Sequence, residues 1–379
     1  MSAHVLITGG AGFIGSRLAR RFVDGGHTVT VLDALIPQVH GDDPRTTSTL
    51  LRSLDGVATV IEGTVTSTDD LRAALAGAEI VVHLAAETGT GQSMYEIDRY
   101  VDVNVGGTAK LLDILTNDEK NSVRRIVVAS SRSIYGEGAY RTEDGRIVHP
   151  PHRADADMAA GDFEVHMPGE GPLTIVPTDE DAKLHPSSVY GITKQTQESL
   201  VMTVGPAIGV ESVALRYQNV YGPGQSLKNP YTGILSIFST LIRQSSPINI
   251  FEDGRESRDF VYIDDVVEAT FRAATLPRAA GRTINVGSGV ATTVTEVVDS
   301  LLAAFGTSVP TSVTGNYRLG DIRHNVADTT LLRDVLGYEP QTDFRTGVDR
   351  FVEWVLSEPA ESSGYERSLK EMAERSLLK

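Results

Sequence analysis

A tyrosine and a lysine stand four residues apart in the segment Tyr190-Gly191-Ile192-Thr193-Lys194. On a helix this spacing places a phenol and an ammonium group on one face, where they can interact. A free tyrosine has a pKa of about 10, so its use as a base near neutral pH requires about 4 kcal/mol of preferential phenolate stabilisation. Lys194 is one source of that stabilisation. The same spacing is also common on solvated helix faces, so a catalytic interpretation needs support from elsewhere in the chain.

The support comes from a hydroxyl at the end of a predicted strand. Ser131 follows the β-branched run Arg124 to Ala129. In an open parallel sheet, ligands bind outside the carboxyl ends of the strands. We therefore expect Ser131 to lie beside a bound ligand, together with Tyr190 and Lys194.

A glycine-rich loop connects the first predicted strand to the first predicted helix. Gly9 permits a tight turn, Gly12 lets the backbone approach a pyrophosphate, and Gly15 allows the helix to pack closely on the strand. Phe13 and Ile14 open the helix, whose N-terminal amides and dipole favour phosphate. Glycines at this spacing also occur in simple turns. Here the preceding strand and the following helix agree with the pattern, and the loop predicts dinucleotide binding.

Asp33 ends the next predicted strand and indicates which dinucleotide is bound. A carboxylate at this position accepts hydrogen bonds from ribose hydroxyls and repels a 2′-phosphate, and Ala34, Leu35 and Ile36 supply no arginine that would reverse the preference. The alternative is a solvated aspartate at a strand end. We predict NAD as the cofactor, in preference to NADP.

The elements that position these residues alternate between short β-branched runs and helical periodicity. Over the first 130 residues the strand candidates are His4 to Thr8, Thr28 to Asp33, Val57 to Glu62, Glu79 to Leu84 and Arg124 to Ala129, and the helix candidates are Gly12 to Val23, Asp69 to Ala76 and Met94 to Thr116. This alternation predicts the α/β class, a doubly wound parallel sheet of Rossmann type with a smaller α/β substrate-binding domain.

The predicted domain boundaries lie where this alternation stops. Residues 1–217 form the NAD-binding domain, with an inserted acidic loop at 137–183 and a returning segment at 259–286. Residues 218–258 and 287–357 form the substrate-binding domain, and 358–379 form a polar tail, in which a weakly amphipathic stretch from Tyr365 to Leu378 leaves docking open. We expect no metal site from the scattered histidines of the insert, because their spacing is irregular and the chain has no cysteine.

Composition excludes several classes of protein. The 379 residues carry 50 acidic and 34 basic side chains, a net charge of −16, which disfavours non-specific nucleic-acid binding. The absence of cysteine excludes disulfides and thiolate catalysis. No apolar run is long enough for a membrane span, and the N-terminus lacks the basic region of a signal peptide. We expect a soluble, cytoplasmic protein with no membrane partner.

Taken together, several segments match one family pattern: Thr8 to Gly15, Asp33, His83-Leu84-Ala85-Ala86, Asn104, Ser130 to Gly136 and Tyr190 to Lys194. With these the sequence resembles the extended short-chain dehydrogenase/reductases, in particular the nucleotide-sugar epimerases and dehydratases. The resemblance covers residues 3 to about 353, interrupted by the insert. It implies that Ser131 is a substrate-bridging hydroxyl, Tyr190 the base and Lys194 a ligand of the nicotinamide ribose. It also implies cofactor contacts from Leu84, Ala85 and Ala86.

The same resemblance implies the substrate contacts. In the segment Arg216 to Gly224, Tyr217 faces the nicotinamide side and Asn219 meets a nucleotide-diphosphate sugar. Arg258 resembles the arginine that contacts the diphosphate, and Arg318 or Arg323 is a second candidate, since guanidinium groups suit bidentate phosphate recognition. An ordinary ion pair is the alternative for each arginine. Arg132, next to Ser131, is a further predicted substrate contact.

The two residues after Ser131 distinguish between the reactions of this family. The dehydratases carry an acidic pair there, whereas this chain has Arg132 and Ser133, which supply neither an acid nor a carboxylate base. A 4-ketoreductase consumes reduced cofactor, usually NADPH, which Asp33 disfavours. The resemblance therefore favours an NAD-dependent 4-epimerase, most similar to the dTDP-6-deoxyhexose 4-epimerases of the dTDP-L-rhamnose type. A 4-ketoreductase and a catalytically silent NAD-binding protein remain open, and the family implies a homodimer.

Overall fold

The centre of the computed structural model, which describes residues 2–229, 233–359 and 364–379, is a seven-stranded parallel sheet. Numbered in chain order, its strands are β1 (His4–Thr8), β2 (Thr28–Asp33), β3 (Thr59–Glu62), β4 (Ile80–His83), β5 (Arg125–Ser131), β9 (Glu211–Tyr217) and β13 (Thr283–Val286). Their order in the sheet is β13-β9-β5-β4-β1-β2-β3. Successive strands are added on one side of β1 up to β3, and from β4 onwards they are added on the other side, so the strand order reverses between β1 and β4. Ligands of doubly wound sheets bind at such a switch point. The predicted α/β Rossmann architecture is confirmed.

Helices cover both faces of this sheet, which is why its strands are almost continuously apolar. The helices up to residue 207 are α1 (Phe13–Asp24), α2 (Pro37–His40), α3 (Pro44–Thr47), α4 (Thr49–Arg52), α5 (Thr68–Leu75), α6 (Thr90–Ser93), α7 (Ile97–Tyr100), α8 (Gly107–Asn117), α9 (Asp155–Ala159) and α10 (Val189–Ala207). The Ser188 side chain caps α10 by accepting a hydrogen bond from the Gly191 amide. This cap fixes the start of the helix that carries Tyr190 and Lys194.

One predicted helix is interrupted. Residues 94–116 read as a single helix, but α7 and α8 are separated by a π-helical stretch at Val101–Gly106. A side chain added at Gly107 would place its Cβ 2.5 Å from a Val65 methyl carbon. Close packing of α8 on Val65 therefore explains that glycine.

A smaller α/β region lies beside the large sheet. Its strands are β10 (Asn219–Tyr221), β11 (Ile248–Ile250), β12 (Ser257–Tyr262), β14 (Ala291–Thr293) and β15 (Thr311–Val313), and the helices of residues 234–357 are α11 (Ile234–Arg243), α12 (Ile263–Thr275), α13 (Val294–Phe305), α14 (Thr330–Leu336) and α15 (Phe344–Ser357). Within the segment predicted to return to the first domain, β13 joins the large sheet, whereas β12 pairs with β10 and β14. The division into domains stays a prediction.

The insert at 137–183 contains more structure than a loop. Strands β6 (Tyr140–Arg141), β7 (Ile147–Val148) and β8 (Thr174–Ile175) form a small antiparallel sheet in the order β7-β6-β8. Tyr140, Val148 and Val165 bury a small apolar cluster against it. The strands are two residues long, too short for alternation to be visible in the sequence.

The polar tail contains helix α16 (Tyr365–Glu374), and its residues 360–363 lie outside the described part. The tail's weak amphipathic pattern left its docking undecided. Tyr365 and Met372 are buried, so α16 packs against the rest of the chain. Among the described residues, no helix is both long and apolar enough to cross a membrane.

Candidate active site

A cavity of about 670 Å³ lies at the carboxyl edge of the large sheet and extends into the smaller region. It begins at the glycine loop, passes Ser131 and Tyr190, and reaches Arg258 and Arg318. All the predicted site residues line it except Arg323: they are Gly9, Gly12, Phe13, Ile14, Gly15, Asp33, Leu84, Ala85, Ala86, Ser131, Arg132, Tyr190, Lys194, Tyr217, Asn219, Arg258 and Arg318. One continuous cavity can therefore hold a dinucleotide and a second ligand end to end.

The glycine loop leaves room for a pyrophosphate. Gly9 has φ +68°, and a Cβ there would lie 2.8 Å from the Ala85 amide nitrogen. A Cβ at Gly15 would lie 2.5 Å from the Gly10 Cα, so neither glycine tolerates a side chain. Gly12 precedes α1, whose first amides open into the cavity. This backbone fits the phosphates of NAD.

Asp33 is held at the end of β2 by two backbone amides. Its carboxylate accepts hydrogen bonds of 2.9 Å from both Ala11 and Leu35. His40 lies on the same side, with Nε2 3.6 Å from the Asp33 Oδ1, and is itself hydrogen-bonded to Ser48 at 2.9 Å. A carboxylate fixed in this way and lining the cavity fits the ribose hydroxyls of NAD.

The catalytic candidates converge where the two halves of the cavity meet. Ser131 is the last residue of β5, and Tyr190 lies in the first turn of α10. Burial raises the pKa of Tyr190, while hydrogen bonding to the Ser131 hydroxyl and the charge of Arg132 oppose that rise. The Ser131 Oγ also accepts hydrogen bonds from the amide and the hydroxyl of Ser133, at 3.2 and 2.9 Å. The arrangement suits transfer of a proton from a substrate hydroxyl.

Lys194 occupies the same helix face and is buried. Its amino group donates a hydrogen bond of 2.7 Å to Gln197, whose amide nitrogen donates to Thr108 at 2.8 Å. Burial lowers the pKa of Lys194 to about 7, and the charge of Glu198 acts in the opposite direction. Burial thus makes the charge of Lys194 sensitive to the groups that surround its amino group.

Asn104 ties the loop after β4 to α10. Its side chain accepts from the Glu87 amide at 2.7 Å, and donates to the Glu87 carbonyl at 3.1 Å and to the Thr193 hydroxyl at 3.0 Å. This network explains why Asn104 belongs to the motif, since it positions residues on both sides of the cavity.

Positive side chains gather at the far end of the cavity. Arg258 donates a hydrogen bond of 3.0 Å to Asp321, and the Arg318 guanidinium lies 4.9 Å from the centre of the Phe251 ring. Burial would raise the pKa of Asp321, but the charges of Arg258 and then Arg318 hold it below its usual value. Glu252 and Glu256 line the same end of the cavity, so the guanidinium groups of Arg258 and Arg318 lie among carboxylates. Guanidinium groups are nonetheless the side chains best suited to bidentate contact with a diphosphate.

Several buried polar atoms along the cavity lack a hydrogen-bond partner. Among the described residues of the lining they are the Ser130 Oγ, the Gln218 Oε1 and the Glu256 Oε2, together with the Arg132 Nη1, the Asn219 Oδ1 and the Arg318 Nε. Unpaired buried polar groups are costly, so atoms of this kind are the natural contacts of a polar ligand. The last three belong to residues predicted to bind substrate.

Arg323 has a different environment. Its side chain is fully buried and donates to Asp253 at 2.7 Å, to Glu164 at 2.9 Å and to Glu252 at 3.0 Å. These carboxylates neutralise its charge and join the insert to the smaller region. Of the two candidates for the second phosphate arginine, the geometry favours Arg318, which lines the cavity, whereas Arg323 does not.

Other lining residues were not identified from the sequence. Among them are residues of the loop after β4, of the turn before α11, of the segment before β12 and of the C-terminal helix: Glu87, Thr88, Gly89, Thr90, Gln225, Ser226, Asn229, Glu252, Glu256, Tyr365 and Met372. The loop after β4 continues directly from Ala86, so its contact could have been expected. In the described part of the chain, no three His, Asp or Glu side chains are arranged to hold a metal ion.

Known proteins share this sequence pattern. The model of the NAD dependent epimerase/dehydratase family matches residues 5–154 and 165–287. A dTDP-L-rhamnose 4-epimerase of Burkholderia thailandensis is 38% identical over 357 residues, covering 93% of this chain and 95% of that protein. The similarity to this relative therefore extends over nearly the whole of both chains.

Solved structures show the same likeness. A UDP-glucose 4-epimerase of Thermotoga maritima, solved with UDP-glucose, has a TM-score of 0.74 at 27% identity and covers 93% of this chain and 99% of its own. A UDP-glucuronic acid 4-epimerase of Bacillus cereus, solved with UDP-glucuronic acid and NAD, has a TM-score of 0.75 at 24% identity with the same coverage. At 24% identity, the similarity to the Bacillus cereus structure shows a shared fold.

Proposed function

The chain belongs to the NAD-dependent epimerase/dehydratase family and is an NAD-dependent nucleotide-sugar 4-epimerase, and we propose that its substrate is a dTDP-6-deoxyhexose of the dTDP-L-rhamnose type. The observation that carries this proposal is the 38% identity to a dTDP-L-rhamnose 4-epimerase over 95% of that protein's length. The cavity supports it, because one end fits a dinucleotide and the other presents arginines to a diphosphate.

The proposed mechanism assigns one task to each of three side chains. Tyr190 removes the proton from the sugar O4, with the Ser131 hydroxyl bridging the two oxygens. Lys194 contributes positive charge that favours the phenolate and binds the ribose next to the nicotinamide. NAD, when bound, supplies the acceptor and donor for the C4 hydride. The 4-keto sugar turns within the cavity, and Tyr190 returns its proton after hydride has reached the opposite face.

The remaining binding roles are proposed from the places of the residues in the cavity lining. Asn219, Arg132, Arg258 and Arg318 contact the nucleotide sugar, since all four line the substrate half of the cavity. Tyr217 packs at the nicotinamide side, where its hydroxyl is hydrogen-bonded to Thr270 at 2.7 Å. Dehydration is disfavoured because Arg132 and Ser133 follow Ser131 where a dehydratase needs carboxyl groups.

We also propose a homodimer in the cytoplasm. Ile97, Val101 and Ile192 are large apolar residues that remain exposed on α7, the π-helical stretch and α10. These elements pack against one another, so they offer one continuous surface to a second copy. A cytoplasmic location agrees with the use of NAD and an activated sugar.

The experiment that tests the function needs no added cofactor. Purified protein is denatured to identify the released nicotinamide, and parallel samples receive dTDP-L-rhamnose, UDP-glucose or UDP-glucuronate while C4 is followed by proton NMR. Stoichiometric NAD and interconversion of the dTDP-L-rhamnose C4 pair support the proposal. Turnover of a 4-keto sugar only on addition of NAD(P)H would make the protein a ketoreductase instead.

A further inference from the structure

The end of the chain pairs with the segment that carries Arg318. The Tyr317 amide donates to the Lys379 carbonyl at 2.9 Å, the Lys379 amide donates back to Tyr317 at 3.0 Å, and the Leu319 amide donates to Leu377 at 3.1 Å. This is a short antiparallel pairing centred on Arg318 and Leu378. The chain end is thus attached to the substrate side of the cavity.

Helix α16 also contacts the opposite side, near the loop after β4. The Tyr95 hydroxyl donates to the Glu371 carboxylate at 3.1 Å, and the Arg375 guanidinium lies 4.4 Å from the centre of the Tyr95 ring. A Cβ on Gly91 would lie 3.1 Å from the Met372 sulfur. The C-terminal segment therefore spans from the smaller region to the NAD-binding side.

Two side chains of this segment are part of the cavity itself. Tyr365 and Met372 are buried and line it. Burial raises the pKa of the Tyr365 phenol, and the neighbouring Arg318 guanidinium opposes the rise by its charge and by hydrogen bonding. The wall that α16 provides thus adjoins one of the proposed diphosphate ligands.

The insert contacts the same end of the segment. Asp155, at the start of α9, forms an ion pair with the Lys379 amino group and accepts a hydrogen bond of 2.7 Å from the Tyr317 hydroxyl. Asp155 belongs to residues 155–164, which fall between the two parts matched by the family model. An element absent from the family pattern thus helps to position the chain end.

We infer that the C-terminal segment 364–379 is a wall of the active site that retains the 4-keto sugar while it turns between its oxidation and its reduction. The inference rests on the proposed epimerase reaction. Oxidation moves hydride from C4 to NAD and the O4 proton to Tyr190, leaving a neutral ketone and NADH. If the ketone escapes, no acceptor remains for the hydride, and the protein stays in the NADH form.

The attachment is suited to intermittent opening. The ion pair of Lys379 with Asp155 is partly exposed, and contacts of this kind contribute little stability individually. Substrate exchange requires the chain end to release its pairing with residues 317–319 and α16 to move away from the cavity, which the buried Tyr365 and Met372 close when they are in place.

The test compares the full-length protein with a chain that ends at Glu358 and with the full-length double variant Met372→Ala/Arg375→Ala. The matched control is Lys370→Ala, on the exposed side of the same helix. With dTDP-L-rhamnose as the probe, we measure the epimer formed, the near-ultraviolet absorbance of NADH and the 4-keto sugar in the protein-free filtrate. Circular dichroism checks that each variant is folded.

We expect NADH and free 4-keto sugar per epimer formed to rise about tenfold in the double variant, a change that corresponds to about 1.4 kcal/mol. The truncated chain should release more 4-keto sugar than the double variant. Lys370→Ala should release no more 4-keto sugar than the full-length protein. Unchanged leakage in folded double-variant and truncated proteins, including the case in which only KM rises, would overturn the inference and leave the epimerase function intact. A full-length protein that epimerises no dTDP sugar would overturn the proposed function and this inference with it.

Discussion

The amino group of Lys194 donates its 2.7 Å hydrogen bond to Gln197, one turn further along α10. Gln197 is itself held by Thr108 and is fully buried, so it fixes the ammonium group within the cavity wall. Because burial lowers the pKa of Lys194 to about 7, the loss of this acceptor matters for the charge that the lysine carries.

Gln197 should therefore control the pH dependence of turnover. Replacement by leucine removes a hydrogen bond that stabilises the protonated amine, so the Lys194 pKa falls further and activity is lost at a lower pH on the alkaline side. Gln197→Glu adds a negative charge that raises the Lys194 pKa, so it should move the alkaline limb of the kcat profile to higher pH. The kcat profile of the NAD-loaded protein measures both shifts. Superimposable profiles for the two variants would contradict a role of the Lys194 charge in the reaction.

Tyr190→Phe removes the proposed base and leaves the ring. We expect kcat to fall by about 10² to 10⁴, the range attributed to a positioned acid or base, while the bound NAD is retained. Turnover is followed by NMR and retained cofactor by release on denaturation. The matched control is Tyr338→Phe, whose hydroxyl bonds to Asp265 away from the cavity. Turnover that persists in Tyr190→Phe would refute the assignment.

Arg132 should favour ionisation of Tyr190. It is half-buried beside Ser131, and although desolvation lowers its pKa to about 10, it remains charged at neutral pH. Its charge lowers the pKa of Tyr190, so Arg132→Gln should move the acidic limb of the kcat profile to higher pH. At neutral pH we expect a loss of about tenfold, equivalent to about 1.4 kcal/mol.

Arg132→Lys provides the matched control, because it keeps the charge and loses the fork of donors. It should restore most of the pH profile and leave KM for the nucleotide sugar raised. A change in KM alone for both variants would assign Arg132 to binding without any effect on the base.

Asp33→Asn tests the choice of cofactor. The amide is almost isosteric but no longer repels a 2′-phosphate, and it presents donors where the ribose hydroxyls need acceptors. We expect less NAD to copurify and the preference for NAD over NADP to fall about tenfold, which equals about 1.4 kcal/mol. Equilibrium binding of both dinucleotides to the stripped protein measures this. An unaltered preference would show that Asp33 is only a structural residue at the strand end.

The sheet and the cofactor end of the site could be predicted because their signals are local. The strand before Gly9, the helix after Gly15 and Asp33 at the end of β2 all lie within one βαβ unit, where spacing in sequence determines spacing in the structure. Tyr190 and Lys194 share one helix for the same reason. The NAD dependence of the family agrees with the predicted cofactor.

The parts that could not be predicted depend on distant contacts. Arg323 and Arg318 were equivalent in the sequence, and only burial among Glu164, Glu252 and Asp253 separates them. Likewise, a weakly amphipathic tail contains no information about which surface it covers. Its place at the cavity depends on the pairing of Tyr317 with Lys379, 62 positions apart in the chain.

The proposed dimer can be tested by substitutions on the exposed apolar surface of α7 and α10. Ile97 and Ile192 are 52% and 53% exposed, so burial of the remaining half of each side chain against a second copy would contribute about 0.8 to 1.5 kcal/mol. Ile97→Glu should therefore convert a dimer into a monomer, since a buried carboxylate without a partner is strongly unfavourable. Val290→Glu is the matched control, because Val290 is similarly exposed at 58% but lies outside α7 and α10. Light scattering gives the mass directly. A full-length protein that is already monomeric, or a dimer that survives Ile97→Glu and Ile192→Glu together, would remove this surface from consideration.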